Sequence, residues 1–66
     1  MRVVVNGQPM ELREGLTLAD LLGELGVCQE YMAVALNREV ARRASYATTV
    51  LREGDRVEIV RPMAGG

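Results

Sequence analysis

Sixty-six residues make one domain at most, and a chain this short buries only about 60% of the surface its unfolded form exposes, leaving little room for an enclosed cleft. Its 48% hydrophobic and 26% charged residues are a globular rather than a disordered composition. A net charge of −1 argues against nucleic acid, which calls for a concentrated basic face.

The same composition narrows the chemistry. With no histidine the chain lacks the commonest general base and metal ligand, and no Ser–His or Cys–His nucleophile pair is possible. Cys28 is the only cysteine, so there is no internal disulfide and no cysteine cluster for zinc. All eight basic residues are arginine, so no side-chain amine can accept an isopeptide bond. No apolar run approaches the roughly 20 residues of a membrane span, and Met1 leads straight into a strand-like run rather than a signal peptide. A cytoplasmic protein is the default expectation.

In chain order, the β-branched run Arg2-Val3-Val4-Val5 ends in Asn6-Gly7, the strongest short hairpin signal. A second strand is expected within Gln8 to Arg13, with Pro9 near its start, before Glu14-Gly15 breaks it. Thr17 is a good N-cap, and Asp20 three residues on favours a helix N-terminus. Leu18, Leu21, Leu22 and Leu25 then mark one apolar helix face, closed by Gly26 as C-cap. Gly23 lies off that stripe, on the solvent side.

Met32, Val34 and Leu36 alternate with Ala33, Ala35 and Asn37, a strand with its larger side chains on one face. Asn37-Arg38 reads as a turn and Glu39-Val40-Ala41 as a very short strand. Residues 42–51 have no clean period and read as an irregular crossover with one helical turn. After the turn Glu53-Gly54-Asp55, the last strand runs from Arg56 to Arg61, with Val57 and Ile59 on one face and Glu58 and Val60 on the other. Pro62 ends it. One helix across a mixed sheet of four to five strands, an α+β arrangement, buries a single leucine stripe economically. Residues 1–62 form the domain and residues 63–66 a C-terminal tail.

That tail is the most informative feature. Met63-Ala64-Gly65-Gly66 has no branched side chain and, extended, reaches at most about 14 Å, enough to enter a partner's cleft. Glycine neither blocks a narrow channel nor restricts the backbone. A frayed end is the plain alternative, since chain termini are often small and disordered. Without an internal catalytic set, the Gly66 carboxylate is the candidate for chemistry.

Taken together, Val5-Asn6-Gly7, residues 17–22, residues 34–40, residues 53–60 and the terminal Gly65-Gly66 resemble the sulfur-carrier proteins of thiamine biosynthesis, the ThiS family. These are β-grasp relatives of ubiquitin. The similarity spans essentially the whole chain, with Ala41 and Ala64 as small departures from the family pattern. It implies a carrier that is not itself an enzyme and binds no cofactor. An E1-like (ThiF-type) adenylyltransferase would use ATP to activate Gly66. A sulfur donor would convert it to a thiocarboxylate, and thiazole synthase (ThiG-type) would take the sulfur. Gly65, Ala64 and Met63 would be the tail that partners recognise, and the free protein would be a monomer.

Lesser candidates have plainer readings. Cys28, just past the helix, fits a small buried hydrophobe better than a redox site. Arg42-Arg43 reads as solvated surface or a docking patch for an acidic partner. Val4 and Val60 are expected side by side on the sheet face away from the helix, where they would form an apolar strip for a partner. Three other functions stay open: a molybdopterin-synthase small subunit, a ubiquitin-like protein modifier, and a binding module with an inert tail.

Overall fold

The computed structural model describes residues 1–26 and 32–60. Strand β1 (Arg2–Val5) and strand β2 (Gln8–Glu11) form the expected hairpin, and helix α1 (Leu18–Leu25) follows. Strands β3 (Ala33–Leu36) and β4 (Glu39–Ala41) form a second hairpin. A six-residue 3-10 turn (Arg43–Thr48) leads to the closing strand β5 (Arg56–Val60). The sheet runs β2-β1-β5-β3-β4, antiparallel throughout except for the parallel pair of β1 with β5. Among the described residues, this mixed five-stranded sheet with one α-helix is the expected α+β arrangement.

Local chemistry sets the helix ends. Thr17 Oγ1 accepts from the Asp20 amide and an Asp20 carboxylate oxygen accepts from the Thr17 amide, each at 3.1 Å, forming a reciprocal capping box. At the other end Gly26 takes φ 70°, a left-handed conformation that costs glycine little, and its amide bonds back to Gly23 and Leu22.

Leu18, Leu21 and Leu22 are buried against Val3, Val5, Val34 and Val57 from the sheet. Leu25, the fourth member of the stripe, keeps 37% of its surface exposed, because it falls in the turn where the helix stops. Met32, Leu36 and Ile59 pack at the margin of this core. The crossover contributes more than its irregular sequence suggests: Tyr46 is 3% exposed and Leu51 is buried, as is Leu16 before the helix. Two backbone bonds, Leu18 to Thr49 at 2.8 Å and Leu51 to Leu16 at 2.9 Å, stitch the crossover to the entry of α1.

The last strand runs from Arg56 to Val60, within its expected span; Arg61, Pro62 and the tail lie outside the described residues, as does Cys28.

Candidate functional site

β5 is the central strand of the sheet, and it is the element that delivers the chain to the tail. Its inward face carries buried Val57 and half-buried Ile59, and its outward face carries exposed Arg56, Glu58 and Val60. The expected tail residues Met63, Ala64, Gly65 and Gly66 lie outside the described residues, so the site is defined by the strand end that leads to them.

Val4 and Val60 share the outward face, but they do not lie side by side. The parallel register sets Val4 against Arg56 and Val5 against Val57. Val60 is therefore four residues further along β5, about 13 Å away, with Glu58 between them. Parallel pairing aligns the strands near the start of β5, and β5 then outruns β1. Val60 instead pairs with Ala33 on β3, while Ala35 pairs with Glu58 on one side and Val40 on the other. Val60 is 61% exposed and Val40 78% exposed, so the apolar strip runs from Val60 through Ala33 and Ala35 to Val40. It flanks the point where β5 ends.

Two asparagines shape β5 in a way the sequence reading did not anticipate. Asn6-Gly7 and Asn37-Arg38 both have two successive positive φ angles (50° and 83°, then 51° and 71°), the backbone of tight hairpin turns. Each asparagine also reaches across to β5. Asn6 donates its amide to the Val57 carbonyl at 2.9 Å, and its Oδ1 accepts from the Ile59 amide at 2.8 Å. Asn37 donates its amide to the Arg56 carbonyl at 2.8 Å, and its Oδ1 accepts from the Arg56 amide at 2.9 Å. The Asn37 Nδ2 also donates to Asp55 at 3.1 Å. Asparagine at the first turn position was the available signal, since a turn alone is served as well by glycine.

Arg42 and Arg43 are both exposed, at the start of the 3-10 turn. Among the described residues, neither forms an ion pair; the pairs present are Met1 with Glu14, Arg2 with Glu11 and Arg13 with Glu24. No three His, Cys, Asp or Glu side chains come together among the described residues in a way that could hold a metal. No helix among them is long and apolar enough to cross a membrane.

A helix laid across a mixed sheet whose central, last strand leads into a Gly-Gly tail defines the β-grasp class of ubiquitin-like carriers. A model of the ThiS family matches residues 3–66, the tail included. The chain belongs to the ThiS family of sulfur-carrier proteins. It is 44% identical over 64 residues to the sulfur carrier protein ThiS of Thermus thermophilus, covering 97% of this chain and 98% of that one. The crystal structure of the thiamine biosynthesis protein ThiS from Geobacter metallireducens superposes with a TM-score of 0.86 at 40% identity, covering all of both chains. The chain is also 39% identical over its full length to a stretch of the thiazole synthase of Paramagnetospirillum magneticum. It spans only a fifth of the length of the curated thiazole synthases that it matches.

Proposed function

We propose that this chain carries sulfur on its terminal carboxylate, at Gly66, for thiazole formation. The observation that carries the reading is the ThiS match over residues 3–66, a span that takes in Gly65-Gly66. A carboxylate is a poor acyl donor because its leaving group is an oxide. An E1-like adenylyltransferase removes that barrier. A Gly66 oxygen attacks the α-phosphorus of ATP, pyrophosphate leaves, and an acyl-adenylate forms. A sulfide-level nucleophile then adds to the carbonyl and expels AMP, leaving a thiocarboxylate. If the donor is a protein persulfide, a thiol-class reductant must afterwards cleave the resulting S–S bond.

The receiving partner on this reading is a thiazole synthase. Support comes from the curated thiazole synthases that contain a stretch resembling this chain, an arrangement in which carrier-like and synthase portions share one polypeptide. The strip from Val60 to Val40 borders the end of β5 and suits such a partner. The chain itself supplies recognition and a tether, while ATP and the sulfur donor belong to its partners. The free carrier is then a cytoplasmic monomer that holds no cofactor.

The test is intact mass. With an E1-like adenylyltransferase, ATP and a sulfur donor, the mass should change by one oxygen replaced with one sulfur, and fragmentation should place the change on Gly66. Deleting Gly66 should abolish it. Sulfur found on Cys28 instead, or uptake unaffected by the deletion, would overturn the reading.

A further inference from the structure

Strand alternation dictates which edge of β5 each residue's polar groups face. Asp55 and Val57 turn their carbonyls toward β1, where the amides of Val4 and Asn6 meet them at 2.9 Å. Ile59, two residues on, therefore presents its amide to the same side. No β1 strand residue remains there to receive it. β1 ends at Val5, and the chain turns away at Asn6-Gly7 toward β2. The Asn6 side chain fills the vacant position, its Oδ1 accepting from the Ile59 amide at 2.8 Å. Across β5, the β3 strand pairs as far as Val60. The end of β5 is thus held by a strand on one edge and by a single side chain on the other.

We propose that Asn6 is a positioning residue for the tail: by holding Ile59, it keeps the end of β5 in strand form and so fixes where the chain leaves toward Gly66. This rests on the carrier reading above. Ile59 precedes Gly66 by only seven positions, so the strand end sets the origin of the arm that a partner must engage.

The effect belongs to binding rather than chemistry. A partner that docks on the paired strand end meets only the fraction of molecules in which that end is formed, and its apparent affinity falls with that fraction. Once docked, the partner holds the strand itself. Loss of one net hydrogen bond shifts such an equilibrium by about two- to tenfold.

Asn37 provides an internal control. It has the same turn geometry and makes the same kind of side-chain bond to β5, but at Arg56, about 10 Å from Ile59 along the strand. Asn6→Gly and Asn37→Gly each remove the side-chain acceptor while keeping a residue that tolerates positive φ. Asn6→Asp keeps an acceptor oxygen in place.

The experiment measures steady-state adenylylation of each variant by an E1-like adenylyltransferase with ATP, alongside amide exchange at Ile59. Asn6→Gly should raise KM for the carrier, by up to about tenfold, with kcat unchanged, and speed Ile59 exchange at least as much. Asn6→Asp should restore both, and Asn37→Gly should leave KM near the parent value. Equal KM effects from the two glycine variants would reduce Asn6 to a general stabiliser and overturn the proposal. So would an Asn6→Gly protein with unchanged KM. A parent protein that accepts no AMP at all would overturn the carrier reading itself, a failure visible before any variant is compared.

Discussion

Thr17 and Asp20 cap α1 from both directions, each side chain accepting from the other's backbone amide at 3.1 Å. The bond from the Thr17 amide is the main reason the Asp20 carboxyl titrates below its ordinary range, helped by the Thr17 side chain and by the charge of Arg13. A depressed carboxyl contributes stability above its unfolded value, about 3.9, and loses it as pH falls through the folded value. Thr17→Ala should cost about 1 kcal/mol. Asp20→Asn should flatten the acid limb of a stability-against-pH curve measured by denaturant melts. An acid limb of unchanged slope would show that the capping box does not hold in solution.

Leu21 and Leu22 are fully buried under the sheet, at the centre of the core. Replacing either with alanine should cost about 2–5 kcal/mol, a large share of what so small a domain has. Leu25→Ala should cost far less, because that side chain is already partly in water. Urea midpoints for the three variants will check this ordering, and equal losses would contradict it.

The leucine spacing, the Thr17 cap and Gly26 made the helix legible in the sequence, because they are local signals with a fixed period. Both hairpins were legible from Asn-led turns for the same reason. Tyr46 was not, since one residue in a single 3-10 turn leaves no period to read. The adjacency of Val4 and Val60 failed because register between strands 50 residues apart is set by the whole sheet. The double role of Asn6 was hidden for a related cause: its turn function is local, whereas its bond to Ile59 spans 53 residues. At the candidate site, the tail and the family pattern together single out Gly66 in the sequence, and the proposal of its role rests on them.

Arg38 occupies the second position of its hairpin turn at φ 71°, where the first hairpin has Gly7. A left-handed conformation costs a side-chain-bearing residue roughly 1–2 kcal/mol, part of which glycine gives back through its freer unfolded chain. Arg38→Gly should therefore stabilise the fold by about 0.5–1 kcal/mol. A thermal midpoint that falls would mean that the arginine makes a compensating contact.

Val60 is exposed on the sheet face opposite the helix, so a charge there meets no core side chain. Val60→Asp should leave the melting curve near the parent's yet weaken association with a thiazole synthase by about tenfold, as expected when a central apolar contact is lost. Val4→Asp, about 13 Å away along the sheet, should do less. Binding measured by calorimetry on both variants separates the strip from the rest of the face. Equal losses would move the docking surface toward β1.

The last prediction concerns Gly65. Every fully buried side chain among the described residues lies between Val3 and Val57. Gly65→Val should therefore leave folding intact. A β-branched residue narrows the backbone choices open to the arm and places two methyl groups where glycine has none. A channel shaped for Gly-Gly should then admit the arm poorly. On the proposed carrier reading this change lies beside the reacting carbonyl, so, unlike the docking effect proposed for Asn6→Gly, it should lower kcat for adenylylation as well as raise KM. Losses of about a hundredfold are in keeping with a reacting group displaced by an ångström. Single-turnover measurements of AMP transfer, paired with melts of the same samples, give both quantities. If the valine variant is adenylylated at the parent rate, then the tail is not threaded through a narrow channel, and recognition must rest on the sheet face alone.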